Sequence, residues 1–207
     1  MLKRAFDLIG ALTAVVLLSP LLASIALGVK FSSRGPVFFR QERMGRGFVP
    51  FRIFKFRTMV ADAERLGGPL THGAADPRIT RLGAWLRRTK IDELPQLFNV
   101  VTGDMSLVGP RPEVRKYVEM FADDYTEILS VRPGITDSAS LRFRDEAALL
   151  GRTANPESLY VSEILPQKIE MAKQYVRSVS LSHDLKVLVL TLVAGVSSES
   201  AAMRADR

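Results

Sequence analysis

The sequence has no cysteine, which excludes disulfide bonds and thiolate metal sites. It also has no internal repeat, no low-complexity block and no nucleic-acid-binding motif. A repeat architecture therefore has no support. A nucleic-acid partner has no support beyond the basic charge of the chain.

Charge is missing from one long stretch, since no charged residue occurs between Asp7 and Lys30. This stretch is long enough to span a bilayer as a helix and longer than the apolar part of a typical signal peptide. Ser19-Pro20 lies in its middle, where proline removes a backbone hydrogen bond and the serine hydroxyl can satisfy the freed carbonyl. Basic residues flank both ends, and such residues favour the cytoplasmic side. We therefore predict a re-entrant membrane helix over residues 1–32, with a straight span as the alternative.

The remaining composition is that of a globular protein. The chain has 207 residues, enough for one well-cored domain, which we expect over residues 33–197 with a polar tail at 198–207. Lys and Arg number 29 against 22 Asp and Glu, so the formal net charge is +7. A positive surface suits nucleic acid, an anionic membrane face or phosphorylated substrates, and charge alone does not choose among them.

A β-hairpin is predicted after the apolar stretch, with strands Val37–Arg40 and Phe48–Arg57. The apolar residues of the second strand change face near Ile53, which predicts a bulge or a strand end there. Lys55 and Arg57 would project together because they are two residues apart. They are either solvated strand charges or a cationic pair able to receive a diphosphate.

Most of the remaining chain has the periodicity of short helices, so the predicted fold class is α+β and mostly helical. Thr80–Arg88 carries Trp85 on its apolar side, which fits an interfacial membrane helix or plain core. Ser138–Phe143 is predicted to be extended. Leu185–Val196 is strongly apolar but too short to span a bilayer, so it is a core or membrane-skimming helix.

Two adjacent carboxylates, Asp92 and Glu93, follow a cationic run and precede an apolar segment with an early proline, Pro95. Proline is tolerated in the first turn of a helix, so Asp92 as N-cap would place both carboxylates at the positive end of the helix dipole. That position favours the ionised form, which suits a carboxylate nucleophile or a ligand for a hard cation. An ordinary acidic N-cap is the alternative.

Pro110-Arg111-Pro112 forms a stiff loop, because each proline fixes its own φ and biases the residue before it. Such stiffness is useful when one guanidinium must meet a phosphate or a base in a set geometry. A loop that simply enters the next helix is the alternative.

Five motifs occur in an order that resembles the bacterial sugar transferase family, the monotopic polyprenol-phosphate phosphoglycosyl transferases. The resemblance extends from Ser19-Pro20 to about Val193, and no large membrane domain is expected before it, as in the small form of the family. The motifs are Lys55-Phe56-Arg57-Thr58-Met59, Asp76-Pro77-Arg78-Ile79-Thr80, Asp92-Glu93-Leu94-Pro95-Gln96-Leu97, Gly103-Asp104-Met105-Ser106-Leu107-Val108-Gly109-Pro110-Arg111-Pro112 and Arg132-Pro133-Gly134-Ile135-Thr136.

The resemblance implies a reaction in which a sugar 1-phosphate passes from a UDP-sugar to undecaprenyl phosphate, with release of UMP. It implies Mg²⁺ as cofactor, the lipid bilayer as a partner, and a place on the cytoplasmic face of the bacterial inner membrane. It makes Asp92 the nucleophile and Glu93 the second member of a dyad that acts on the metal or the acceptor. Pro110, Arg111 and Pro112 match the loop linked to the uridine nucleotide. Positive charge for the phosphates would come from Lys55, Arg57, Arg78, Arg87 and Arg88.

The sequence departs from the usual family pattern after Thr136, where glycine and a nearby glutamine are common and Asp137-Ser138-Ala139-Ser140 stands instead. The identity of the sugar therefore stays open, as does the formation of a homo-oligomer. Alternatives are a membrane-bound nucleotide-sugar hydrolase, a conventional glycosyltransferase, and a non-enzymatic basic membrane scaffold.

Overall fold

The computed structural model describes residues 2–61, 63, 76–153 and 155–205, and their side chains except those of residues 147 and 195–205. The predicted α+β class, mostly helical with a small β-hairpin, is confirmed. In chain order the elements are α1 (Leu2–Ser32), β1 (Phe38–Met44), β2 (Pro50–Phe56), α2 (Arg81–Thr89), α3 (Gln96–Thr102), β3 (Ser106–Val108), α4 (Arg115–Met120), α5 (Ala122–Ile128), β4 (Gly134–Thr136), α6 (Ser138–Arg142), α7 (Glu146–Leu150), α8 (Pro156–Leu159), α9 (Leu165–Arg177) and α10 (Leu181–Ala205).

α1 is one continuous helix of 31 residues with Pro20 inside it. Because proline has no N–H, the carbonyl of Val16 loses its normal partner four residues on. The Ser19 hydroxyl donates to that carbonyl at 2.8 Å, as the sequence predicts. Among the described residues, α1 alone is long and apolar enough to cross a membrane, and 17% of its most apolar window is buried. A path that enters and leaves by the same membrane face stays a prediction.

The N-terminal end of α1 is tied to the rest of the protein by charged side chains. Lys3 donates to Asp184 of α10 at 2.6 Å and to the carbonyl of Val108 at 3.1 Å. The buried Asp7 carboxylate accepts from the Ser106 hydroxyl and the Leu107 amide of β3. These bonds fix α1 against the strand that leads into the Arg111 loop.

Arg57 holds the other end of α1, which corrects its predicted pairing with Lys55. β2 ends at Phe56, so the strand alternation that would place the two cations side by side stops before Arg57. The buried guanidinium donates to the carbonyls of Val29 at 3.1 Å and Ser33 at 2.7 Å, and also to that of Pro36. Arg57 thus caps the C-terminus of α1, and its role in phosphate binding stays a prediction.

Replacing Arg57 by methionine should lower the free energy of unfolding by about 2–4 kcal/mol, because the buried carbonyl of Val29 and two partly buried carbonyls that follow it lose a charged donor together. Arg46→Met is the matched control: Arg46 is exposed at the hairpin tip, and its loss should change stability by less than about 0.5 kcal/mol. Urea unfolding in detergent, followed by circular dichroism, measures both variants. Equal effects of the two substitutions would contradict the capping role.

The hairpin register is continuous from the pair Phe38 and Phe56 to the pair Met44 and Pro50. The predicted bulge near Ile53 is therefore wrong. Apolar residues occur on both strand faces because both faces are packed. Ile53 lies in a buried cluster with residues of α1, α3 and α10, while Phe56 packs in another cluster with residues of α1 and α2.

α2 confirms its predicted amphipathic character. The Thr80 hydroxyl caps its N-terminus by accepting from the Gly83 amide at 2.9 Å. Leu86 is fully buried against α1, and Leu82 and Trp85 pack at the same contact. α1 therefore supports both the hairpin and the helix that precedes the acidic pair.

One further prediction about local structure fails. Ser138–Arg142 is helical rather than extended, because the Asp137 carboxylate accepts from the Ser140 amide at 2.7 Å and caps a short helix. α10 begins at Leu181 and continues to Ala205, so it extends into the residues predicted to form a polar tail. α10 packs beside the parallel pair of β3 and β4, and α6 packs against α10.

Candidate active site

Asp92 and Glu93 lie in a single 3₁₀ turn, Ile91–Glu93, between α2 and α3. The turn begins at Lys90, whose φ of 59° is left-handed and ends α2 abruptly. The prediction that Asp92 caps the following helix is wrong, because α3 begins at Gln96 after Pro95, with no side chain capping it. The acidic pair is thus held by a tight turn between two packed helices.

The Asp92 carboxylate is buried, at 8% exposure, and its Oδ1 atom has no hydrogen-bond partner among the described residues. Burial, together with the nearby negative charge of Glu93, raises the pKa of Asp92 to about 6, although Lys55, Lys90 and Arg87 oppose the shift. The sequence-based expectation that this position favours the ionised form is wrong, because burial outweighs any helix dipole. A carboxylate with a free buried oxygen and a raised pKa is suited to attack or to metal binding.

Glu93 is in the opposite situation, because both of its carboxylate oxygens are bound. Lys55 donates to Oε1 at 2.8 Å, and Arg111 reaches Oε1 at 2.5 Å and Oε2 at 3.1 Å. Burial alone would raise the pKa of Glu93, but the charges of Arg111 and Lys55 outweigh it and hold that pKa well below its usual range. Glu93 is therefore a fixed anion shared by two cations.

Arg111 is positioned by the backbone as well as by Glu93. Its amide donates to the Asp137 carboxylate at 3.1 Å, and Pro110 and Pro112 stand on either side of it. The neighbouring Glu93 raises the pKa of Arg111, so this guanidinium stays charged. Lys55 has a lowered pKa because burial outweighs its pairing with Glu93. Arg111 of the predicted stiff loop and Lys55 of the predicted hairpin thus both bind the Glu93 carboxylate.

A small pocket opens beside this cluster, lined by Arg43, Ile53, Lys55, Gln96, Arg111 and Pro112. Sequence reasoning missed Arg43 and Gln96. Arg43 contacts Glu113 at 3.4 Å, and burial lowers the pKa of its guanidinium. No signal for Arg43 was present in the sequence, because the predicted first strand ends at Arg40, whereas the observed β1 continues to Met44 and places Arg43 on the face that carries Lys55.

The other predicted phosphate ligands differ in their distance from the acidic pair. Arg87 donates to the Thr58 hydroxyl at 2.8 Å, and its charge is close enough to Asp92 to oppose the rise in the pKa of that carboxylate. Arg78 is buried in a bidentate pair with Asp76, at 2.9 and 2.7 Å, and also donates to the carbonyl of Ala63. Arg88 is exposed on α2. The structure therefore brings Lys55, Arg87 and Arg111 to the acidic pair, but not Arg57, Arg78 or Arg88.

The sequence profile of the family described as "Bacterial sugar transferase" matches residues 1–198. The chain belongs to this family. The resemblance inferred from five ordered motifs is thereby confirmed. The acidic pair and the Arg111 loop lie within the matched residues.

Curated relatives of this chain include longer and similar-sized proteins. UDP-glucose:undecaprenyl-phosphate glucose-1-phosphate transferase of Escherichia coli K12 is 38% identical over 97% of this chain and 41% of the relative. UDP-N-acetylgalactosamine-undecaprenyl-phosphate N-acetylgalactosaminephosphotransferase of Aeromonas hydrophila is 38% identical over 92% and 43%. Exopolysaccharide production protein PSS of Rhizobium leguminosarum is 37% identical over 93% and 94%. The chain thus spans less than half the length of the first two relatives.

The side chains of the site show whether the expected Mg²⁺ could be bound there. Within the described ranges, no three acidic or histidine side chains converge as a metal cluster. Asp92 fits a Mg²⁺ ligand, because its Oδ1 atom is buried without a partner, whereas both oxygens of Glu93 are already bound to cations. Mg²⁺ usually takes one or two carboxylates and fills its other positions with water and substrate phosphates. The site therefore fits the ion through Asp92.

Proposed function

We propose that this protein transfers a sugar 1-phosphate from a UDP-sugar to undecaprenyl phosphate and releases UMP. The observation that carries the proposal is the buried Asp92 carboxylate with an unpartnered oxygen, next to the cations of Lys55, Arg111 and Arg87. A phosphoanhydride carries negative charge that must be neutralised before an anion can attack it, and these residues supply both parts. The names of the relatives from Escherichia coli and Aeromonas hydrophila support the same reaction with two different sugars.

In the first half-reaction, an Asp92 oxygen attacks the β-phosphorus of the donor. A new bond forms between that oxygen and phosphorus, the phosphoanhydride bond breaks, and its electrons leave with UMP. The product on the protein is an aspartyl-phosphosugar. Lys55 and Arg111 hold the diphosphate charge, and Arg87 adds positive charge beside the nucleophile.

In the second half-reaction, a phosphate oxygen of undecaprenyl phosphate attacks the same phosphorus. The bond from phosphorus to Asp92 breaks, the carboxylate is restored, and a lipid-linked sugar diphosphate leaves. Mg²⁺, held through Asp92 and the substrate phosphates, would neutralise phosphate charge when bound. Glu93 would keep Lys55 and Arg111 in place between turnovers.

The lipid acceptor gives α1 a role. Its exposed apolar side chains include Val16 and Leu17, at 69% and 73% exposure, around the Ser19-Pro20 step. We place these side chains in the cytoplasmic leaflet of the bacterial inner membrane, with α1 re-entrant, because basic residues flank both of its ends. The phosphate of the acceptor would then lie at the membrane surface near the site.

The raised pKa of Asp92 predicts an acid limit to activity. Because the nucleophile must be ionised, kcat/KM for the donor should fall about tenfold per pH unit below about pH 6. A steady-state pH profile of UMP release measures this limb. An acid limb near pH 4, the usual range of an exposed aspartate, would show that burial does not raise the pKa of the ionising carboxylate.

Product analysis tests the proposed reaction. The purified protein is incubated in nanodiscs with Mg²⁺, undecaprenyl phosphate and a panel of UDP-sugars that includes UDP-glucose and UDP-N-acetylgalactosamine. Formation of UMP and a lipid-linked sugar diphosphate, dependent on the lipid, is the expected result. UDP as product would indicate a conventional glycosyltransferase, lipid-independent cleavage a hydrolase, and no product from any donor a non-enzymatic scaffold; each would overturn the proposal.

A further inference from the structure

Asn99 occupies a central position in α3 that neither the sequence motifs nor the proposed reaction explain. It is fully buried, at 0% exposure, seven residues after Asp92. Its side-chain oxygen accepts from the Phe54 amide at 2.9 Å, and its side-chain nitrogen donates to the Arg52 carbonyl at 2.9 Å. The same nitrogen lies 3.4 Å from an Asp104 carboxylate oxygen.

These two bonds satisfy one amide and one carbonyl group on the edge of β2 that is not paired with β1. One edge of β2 is paired with β1, so the backbone groups of Arg52 and Phe54 on the other edge need partners. An asparagine side chain offers one acceptor and one donor, as a neighbouring strand would. Aspartate of the same shape lacks the donor, and leucine of similar size lacks both groups.

The contact joins the elements that carry the active-site charges. Lys55 follows Phe54 directly, so Asn99 holds the part of β2 that leads into the lysine. Asp92 and Glu93 lie one turn before α3, the helix that carries Asn99. The backbone oxygen of Asn99 also accepts from the Met105 amide at 3.0 Å, at the start of the segment that leads to the Arg111 loop.

We infer that Asn99 is a positioning residue for the phosphoglycosyl transfer proposed above: it fixes β2 against α3 so that Lys55 stays at Glu93 and beside Asp92. The inference rests on the proposed function only for its consequence in turnover. The placement of Lys55 is a property of the resting protein and is measurable without substrate.

Two measurements test this role on Asn99→Asp and Asn99→Leu. The first is the rate at which an amine-reactive reagent labels Lys55 at a fixed pH, followed by mass spectrometry, because a lysine held at Glu93 is shielded from the reagent. Release of Lys55 from Glu93 should raise this rate about fivefold or more. The second is kcat for UMP release, which should fall about 30-fold or more, while KM for the donor changes much less.

A double-mutant cycle separates positioning from general damage. In a Lys55→Met background, replacement of Asn99 by leucine should lower kcat less than about threefold further, because the residue it positions is already gone. Multiplicative losses and an unchanged labelling rate of Lys55 would overturn the inference and leave Asn99 a purely structural residue.

Asn155→Ala is the matched control. Asn155 also makes a structural hydrogen bond, accepting from the Ser158 amide at 3.2 Å at the start of α8, outside the site. It should leave the labelling rate of Lys55 unchanged. If Asn99→Leu does not fold, Asn99→Asp supplies the same comparison. If the wild-type protein releases no UMP, the proposed function fails, while the labelling rates of Lys55 still decide the role of Asn99.

Discussion

Asp92→Asn should abolish UMP release, by about 10⁴-fold or more, and should leave the protein at least as stable as the wild type at neutral pH. The loss follows because an amide cannot attack phosphorus and form the covalent phosphosugar. The stability follows from the pKa of Asp92, which lies near 6 in the folded protein against 3.8 for an unperturbed aspartate. A group with a raised pKa stabilises the fold fully below its unfolded pKa, and that contribution is lost as pH rises through the folded pKa.

At pH 7.5 the wild-type protein therefore carries a buried charge that the asparagine variant does not carry. UMP release in nanodiscs and thermal unfolding in detergent test both parts of this expectation. Asp123→Asn, an exposed carboxylate on α5, is the control and should change neither activity nor stability appreciably. Activity within tenfold of wild type would exclude Asp92 as the nucleophile, and a clear loss of stability would mean that its carboxylate has a structural role.

The sequence predicted the parts of the fold whose causes are local. The bond from the Ser19 hydroxyl to the Val16 carbonyl follows from proline chemistry alone, and α2 forms where the periodicity of Thr80–Arg88 predicts a helix. The motifs predicted that Lys55 and Arg111 both bind the donor substrate. The bidentate contact of Arg111 with Glu93 was not predicted.

Two of the failures share a physical origin, since they depend on contacts distant in sequence. Arg57 was assigned to the site by strand alternation, but the strand ends one residue earlier and α1 supplies the carbonyls that it binds. Asp92 was expected to be ionised by a helix dipole, whereas burial by packed neighbours raises its pKa. The left-handed conformation of Lys90, which ends α2 and creates the turn, has no signal in a lysine.

Glu93→Gln should tighten the binding of UDP by about tenfold while it lowers kcat by about 100-fold. In the resting protein the Glu93 carboxylate occupies Lys55 and Arg111, so it competes with the diphosphate for the same two cations. A neutral glutamine leaves both cations in need of an anion, which favours nucleotide binding. Turnover falls because the product is held too tightly and the cations lose the group that orients them.

The same substitution should move the acid limb of kcat/KM below that of the wild type, because the charge of Glu93 is one of the causes that raise the pKa of Asp92. Calorimetric titration of UDP, with and without Mg²⁺, and a pH profile measure the two effects. Glu119→Gln, exposed on α4, should alter neither. Weaker UDP binding, seen only with Mg²⁺ present, would show that Glu93 leaves its cations and holds the metal instead. Tighter binding without the metal would establish it as an internal counter-ion that the substrate displaces.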